Sequence, residues 1–168
     1  MAISMFSVSA PIFIRHLNGL AICLKKTQAV YAEKKCDEAT LMIQRLFPDM
    51  FTFARQIQQA TDHARNCCAA LAGVESPAME MNEKSLADLI GRVEKTTAFL
   101  KGLTAAQIDG SESKKLTVKV MGKDTEFVGI DLLQNRALPN FWFHVTTAYN
   151  IMRLNGIEIG KRNFMGAE

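Results

Sequence analysis

The chain has 168 residues, 48% of them apolar and 22% charged, and its formal net charge is +3. These values exclude a disordered chain and predict one globular domain that spans residues 1–168. The basic residues form only short pairs, such as Lys25-Lys26 and Lys34-Lys35, so we expect no nucleic-acid-binding surface.

The N-terminal segment is apolar, but no basic residue precedes its apolar run, and Arg15 and His16 interrupt that run. We therefore expect neither a signal peptide nor a membrane span. The four cysteines lack the spacing of metal-binding or CxxC motifs. We expect them to be small apolar residues of a reduced, cytoplasmic protein.

The first predicted helix carries apolar residues at three- and four-residue steps, which places them on one face. It begins at Met5 or at Ser9 and ends near Lys34. Pro11 lies in the first turn if the helix begins at Ser9, and it kinks the helix if the start is earlier. A short helical turn is expected within residues 37–46.

Two further long helices are predicted from their apolar stripes and end signals. The second begins near Pro48, because proline is favoured in a first turn, and Gly73 ends it. The third runs from about Ser85 to Leu103, with Asn82 as its N-cap.

The apolar period changes from helical to alternating after Gly110. Leu116, Val118 and Val120 alternate with polar residues, the turn sequence MGKD follows, and a second run ends at Val128. This pattern predicts a β-hairpin, which must pack on the helices because two strands alone are barely stable. The predicted fold is therefore all-α, a four-helix bundle with a small β-hairpin inserted between helices 3 and 4.

The fourth helix, Gly129 to Gly156, is apolar over more than half of its circumference. A bundle buries one side of each helix, so the second apolar face predicts a homodimer contact through this helix. Pro139 should kink the helix and free a backbone carbonyl near Asn135. A kink one turn before His144 would open space in the bundle core, where ligands commonly bind.

His144 is the leading candidate functional residue, because it is an imidazole predicted to be buried beside this space. It could act as a metal ligand or a general base, or simply bond to a neighbour in the core. A helical metal pair needs a second ligand four residues on, where Ala148 stands, so we expect no metal. The residues predicted to line the pocket with His144 are Asn140, Gln58, Tyr149, Arg55 and Asp62.

Polar residues between positions 55 and 62 form a ridge along the second helix, which is either a pocket wall or a solvated helix edge. The two remaining histidines, His16 and His63, lie off the main apolar stripes. We predict both to lie at the surface or at the rim of the bundle.

Several segments of the sequence together resemble a known family. They are PIFIRHLNGL in the first helix, FPDMFTFARQIQQATDHA leading the second, AFLKGL closing the third, LPNFWFHVTTAYNIMRLNG in the fourth and the terminal IGKRNFMG. On these segments the chain resembles the DinB/YfiT-like superfamily of bacterial four-helix bundles, and more closely a branch known only as a bacterial domain of unknown function. The resemblance extends over essentially the whole chain.

The resemblance implies an altered metal site. Metal-binding members of the superfamily place one histidine on the second helix and an HxxxH pair on the fourth. His144 matches the first histidine of that pair, and Ala148 replaces the second. Gln58 or Gln59 falls near the histidine position of the second helix. The chain thus keeps one of the three metal ligands. We therefore expect no cofactor, and none of the thiol-transferase or isomerase activity that depends on the metal. The alternative is a divergent divalent-metal site that includes His144.

Three functional interpretations follow. The first is a dimeric, cytoplasmic protein with a small-molecule pocket between the second and fourth helices and no assigned activity. The second is a divergent DinB-like transferase, isomerase or hydrolase, in which His144 acts as acid or base and the substrate is oriented by Asn140, Gln58 and Tyr149. The third is a structural or partner-binding dimer with the fourth helix as its interface.

Overall fold

Four long helices carry the fold in the computed structural model, which describes residues 3–166. In chain order the elements are α1 (Ala10–Glu33), α2 (Glu38–Met42), α3 (Phe53–Ala72), α4 (Leu86–Lys101), α5 (Ala105–Ile108), β1 (Lys115–Val120), β2 (Lys123–Val128), α6 (Gly129–Asp131), a π-helical segment (Leu132–Ala137), α7 (Leu138–Leu154) and α8 (Lys161–Phe164). Helix α1 packs chiefly on α4, and α3 packs chiefly on α7, around a core of buried apolar side chains. The predicted helical bundle with an inserted hairpin is confirmed.

Helix α1 begins at Ala10 and carries Pro11 in its first turn, where the missing N–H group is not needed. Ser9 precedes the helix, but its hydroxyl donates to the Met5 carbonyl at 2.7 Å instead of capping α1. Of the two predicted starts, the later one is therefore correct. Helix α2 lies within the predicted residues 37–46.

Helix α3 begins at Phe53, so the predicted start near Pro48 is wrong. Pro48 lies in the preceding turn, and the Thr52 side chain caps the helix by accepting from the Arg55 N–H at 3.3 Å. A side-chain cap supplies the acceptor that a helix start needs, and a proline supplies none. Gly73 ends the helix as predicted, in the left-handed conformation with φ at +67°.

Helix α4 is capped by Ser85 and not by Asn82. The Ser85 hydroxyl accepts from the Asp88 N–H at 3.1 Å, and the Asp88 carboxylate accepts from the Ser85 N–H at 3.0 Å. This reciprocal pair is a capping box. The Asn82 amide donates to the Glu80 carboxylate instead.

Strands β1 and β2 pair antiparallel in a register that runs from Lys115 opposite Val128 to Val120 opposite Lys123. The turn between them is Met121-Gly122, with φ angles of +50° and +81°. Two positive φ angles are typical of the tight turn whose twist matches a hairpin. The hairpin packs through β1 against α3, as its marginal stability requires.

The fourth predicted helix runs on from α6 through the π-helical segment into α7. The irregularity expected at Pro139 takes the form of this π-helical turn, which places the proline in the first turn of α7. The Asn140 side-chain amide donates to the Arg136 carbonyl at 2.7 Å. The free backbone carbonyl expected near Asn135 stays a prediction.

Helix α8 covers the second apolar face of α7. The Phe164 ring lies 5.6 Å from the Tyr149 ring and 6.3 Å from the Trp142 ring, measured between centroids. Trp142 also packs edge-on against His16 at 4.1 Å. The second apolar face that predicts the homodimer is therefore partly covered within one chain, and the homodimer itself stays a prediction.

The close approach of α8 to α1 depends on a glycine. A Cβ atom on Gly19 would lie 2.4 Å from the Phe164 carbonyl oxygen and 2.8 Å from the Asn163 carbonyl oxygen. Both are backbone atoms, which cannot move aside as a side chain can.

No helix within residues 3–166 is both long enough and apolar enough to cross a bilayer.

Candidate functional site

A cleft of about 790 Å³ lies between α3 and the π-helical segment with α7, and β1 and the hairpin turn form part of its wall. Two polar stripes at four-residue spacing line the helical walls. The stripes are Arg55, Gln59 and His63 on α3, and Arg136, Asn140 and His144 on the other wall. Residues four apart lie on one side of a helix, so each stripe faces the cleft as a unit.

His63 and His144 meet across the cleft. Their ring centroids lie 5.7 Å apart and the ring planes differ by 12°, so the rings are nearly parallel. Burial and, to a smaller extent, the charge of Arg55 together lower the pKa of His144 to about 4. Burial, with smaller contributions from His144 and Arg136, lowers the pKa of His63 to about 4 as well. Both imidazoles are therefore neutral at neutral pH.

The His144 ring is held in one orientation by Gln56. The distance from His144 Nδ1 to Gln56 Oε1 is 2.7 Å, and the Gln56 Nε2 donates to the Phe51 carbonyl at 3.1 Å. Since Oε1 can only accept, Nδ1 carries the hydrogen in the neutral ring. Nε2 of His144 is then left as a hydrogen-bond acceptor.

The charge lining the cleft is mainly positive. Arg55 lies over the Phe51 ring at 5.5 Å, and Arg136 lies over the Phe127 ring at 5.8 Å. Neither guanidinium pairs with a carboxylate within residues 3–166. The cleft therefore offers two cations to an anion.

Asp62 supplies the carboxylate on the cleft wall, but it is already paired. It accepts from Arg92 at 2.7 Å and from Arg65 at 3.0 Å. Arg92 also binds the Glu83 carboxylate at 2.7 Å and the Thr61 hydroxyl at 2.7 Å. Asp62 is therefore committed to a buried ion-pair network behind the cleft.

The cleft brings together four of the six residues predicted for it: His144, Asn140, Arg55 and Asp62. Gln58 is buried to one side, where its amide donates to Glu83 at 2.8 Å. The Tyr149 hydroxyl donates to the Ile159 carbonyl at 3.3 Å, on the face of α7 that α8 covers. Neither of these two side chains lines the cleft.

The predicted surface or rim position is wrong for His16, whereas His63 is half-buried on the wall of the cleft. His63 faces into the cleft, and His16 is buried beneath Trp142 with 6% of its surface exposed. His63 falls four residues after Gln59 and eight after Arg55, and this spacing could have placed it on the cleft wall. No local signal marks His16 as buried, because it is covered by Trp142 of α7 and Phe164 of α8.

The residues of the cleft do not fit the three-histidine metal set of the resembled superfamily. Ala148 is buried and offers no ligand atom, and His144 Nδ1 is engaged by Gln56. Two imidazoles stacked face to face do not direct their in-plane lone pairs to one point. Within the described residues 3–166, no three His, Cys, Asp or Glu side chains cluster closely enough to hold a metal ion.

Comparison with known families agrees with this architecture. Residues 5–165 match the family described as "Domain of unknown function (DUF1993)". The chain belongs to the DUF1993 family. A search of curated proteins gives no match.

A solved structure supports the same grouping for this DUF1993 member. It is a crystal structure of a DinB family member protein from Shewanella denitrificans, 30% identical in sequence, with a TM-score of 0.88. The alignment covers 97% of this chain and 92% of that one. The predicted resemblance to DinB-like domains of unknown function is confirmed.

The neutral histidines predict a pH dependence of folding. The His144 pKa is about 4 in the folded protein against 6.5 ordinarily, so the unfolded chain binds the proton more readily. The contribution of the neutral His144 ring to the free energy of unfolding is fully present above pH 6.5 and is lost as the pH falls towards 4. Between pH 7.5 and pH 5, we expect the free energy of unfolding to fall by about 2 kcal/mol less in His144→Gln than in the wild type.

Urea unfolding of both proteins at the two pH values measures this difference. Asp88, whose pKa is lowered by its capping bonds, contributes equally to both proteins and cancels. An identical loss of stability in the wild type and in His144→Gln would show that the ring is not held neutral.

Proposed function

We propose that the DUF1993 cleft binds a small organic anion, with a carboxylate between Arg55 and Arg136 and an apolar body against the rim. The observation that carries this proposal is the presence of two half-buried guanidinium groups in one cleft, neither paired with an acid in the described part of the chain. Arginine binds carboxylates through paired, charge-assisted hydrogen bonds.

The rim of the cleft supports an apolar body on this ligand. Four large apolar side chains of the cleft wall are left exposed, from 46% for Phe51 and Met81 through 55% for Phe143 to 97% for Met121. Exposed apolar residues grouped at one cleft are typical of a binding site. The volume of about 790 Å³ is within the range of small-molecule sites.

Calorimetric titration with simple acids tests the proposal. We expect a phenylalkanoate or a medium-chain fatty acid to bind, and its uncharged amide to bind at least about tenfold more weakly, because a charged hydrogen bond is lost. Arg136→Gln should weaken binding of the acid by about tenfold or more. Lys26→Gln on the exposed side of α1 makes the same charge change away from the cleft and should leave binding unaltered.

Two results would overturn the proposal. One is that none of the acids binds. The other is that acid and amide bind equally, since the guanidinium groups would then contribute nothing.

A divergent enzyme stays the second prediction. The fixed orientation of His144 is what a general base needs, but a pKa of about 4 makes its ring a weak base at neutral pH. For this reason binding, rather than catalysis, is the function that we place first.

We propose a cytoplasmic location, in support of which the four cysteines are free thiols, as expected in a reducing compartment. The homodimer through the fourth helix rests on the exposed Phe143 and Leu154 of α7, and analytical ultracentrifugation would test it.

A further inference from the structure

The chain of contacts Phe51–Gln56–His144 determines what the floor of the cleft can recognise. The Phe51 carbonyl accepts only, so it orients the Gln56 amide with Nε2 towards itself. Gln56 Oε1 is thereby turned to His144 Nδ1, and Gln56 is buried, with 1% of its surface exposed. The tautomer of His144 is therefore set by the backbone and not by the ligand.

His144 Nε2, unlike Nδ1, has no hydrogen-bond partner within residues 3–166. His144 lines the cleft, and within residues 3–166 its one hydrogen bond is the one to Gln56. An imidazole nitrogen without hydrogen is a hydrogen-bond acceptor and cannot donate. A ligand group placed against it must bring a hydrogen, or else the desolvated nitrogen is left without a partner at a cost in affinity.

His63 adds a second unengaged polar group to the same floor. Its ring nitrogens have no hydrogen-bond partner in the described part of the chain, and the ring lies against His144. A neutral imidazole carries one donor and one acceptor. A hydroxyl group, which donates and accepts, is the ligand group that suits this pair of rings.

We infer that the anion bound in this cleft is a hydroxylated organic acid, whose hydroxyl donates to His144 Nε2 while its carboxylate binds the arginines. This inference rests on the proposed function and narrows it to one class of acid. Gln56 is then a positioning residue, which acts on the ligand only through the His144 tautomer.

Matched ligands test the inference. The probes are 3-phenylpropanoate, its forms with one hydroxyl at each ring or chain position, and the methyl ether of each form. A methyl ether keeps the oxygen but cannot donate. We expect one hydroxylated acid to bind at least about tenfold more tightly than its methyl ether, because sites that use a hydrogen bond reject analogues that lack it.

Variants at two positions test whether His144 Nε2 causes the preference for a hydroxyl over its methyl ether. His144→Phe and Gln56→Met should both abolish the preference for the hydroxyl, the first by removing Nε2 and the second by releasing the tautomer. Gln56→Glu should retain it, since a carboxylate also accepts from Nδ1–H. All three variants keep Arg55 and Arg136, so binding of the parent acid should persist.

Nitrogen NMR of the histidine side chains gives a readout that needs no ligand. We expect His144 to carry its hydrogen on Nδ1 in the wild type and in Gln56→Glu, and to lose this preference in Gln56→Met. A hydrogen on Nε2 in the wild type overturns the inference and leaves the anion proposal intact. Equal binding of every hydroxylated acid and its ether overturns it in the same way, whereas binding of no acid overturns both.

Discussion

Replacing Arg92 by methionine is expected to lower the free energy of unfolding by about 3 to 5 kcal/mol. The Arg92 side chain is 2% exposed, and it pairs with Asp62 and Glu83 at 2.7 Å each. Methionine fills much of the same volume, but it leaves two carboxylates in a buried place without their main partner. Urea unfolding at neutral pH measures the loss.

Lys25→Met is the matched control for this variant. Lys25 pairs with Glu94 at the same distance of 2.7 Å, but both side chains are more than half exposed. Water and salt screen such a pair, so its loss should cost less than about 1 kcal/mol. Equal losses in the two variants would contradict the view that burial makes the Arg92 network important.

The second large effect is expected from Gly19→Ala. Alanine normally stabilises the middle of a helix by about 1 kcal/mol relative to glycine. Here the new methyl group would lie 2.4 Å from the Phe164 carbonyl oxygen, so α8 must move away from α1. We expect a net loss of about 1 to 3 kcal/mol, as for other overpacked sites.

Fluorescence can follow this displacement directly, because Trp142 is the single tryptophan of the chain and packs against Phe164. Its emission should shift to longer wavelength in Gly19→Ala as water reaches the ring. Gly91→Ala is the control: Gly91 lies inside α4, and an added Cβ atom there would meet nothing within 4 Å, so this variant should be more stable with unchanged emission. An unshifted spectrum in Gly19→Ala would mean that α8 does not depend on this glycine.

The long helices are predictable because each has an apolar stripe of its own. Local signals also predict several helix ends correctly; Gly73, for example, ends α3. The predicted start of α3 and cap of α4 are wrong because two competing signals lie within a few residues. Thr52 prevails over Pro48, and Ser85 over Asn82, in each case through a side-chain bond to a free N–H of the first turn.

Helix α8 cannot be predicted in this way. A four-residue helix has no apolar period, and it is held by Trp142, Tyr149 and the close approach at Gly19, all distant in sequence. For the same reason, the pattern of residues around His16 predicts a position at the surface, although His16 is buried in the structure. The side chains that cover His16, Trp142 and Phe164, are more than 100 residues away from it in the sequence.

The candidate site is predictable in part. His144 and Asn140 follow from the fourth helix alone, but the choice among the polar residues of α3 depends on its rotation. Neighbouring residues such as Gln58 and Gln59 point about 100° apart, so a small error in rotation exchanges them. Gln56, the partner of His144, escapes prediction because nothing in its own sequence surroundings separates a glutamine that orients a histidine from one that faces solvent.

The π-helical turns of Leu132–Ala137 imply a length difference between this helix and an uninterrupted one. A turn closed by an i→i+5 bond holds one residue more than an α-helical turn. Deleting one residue here would restore a regular helix and leave the segments on either side, including the hairpin, near their present orientation, because the wider turn already accommodates the extra residue. An alignment with a relative that lacks this turn therefore needs a one-residue gap within 132–137; without the gap, every hairpin position would be compared with its neighbour, whose side chain lies on the opposite face of the sheet.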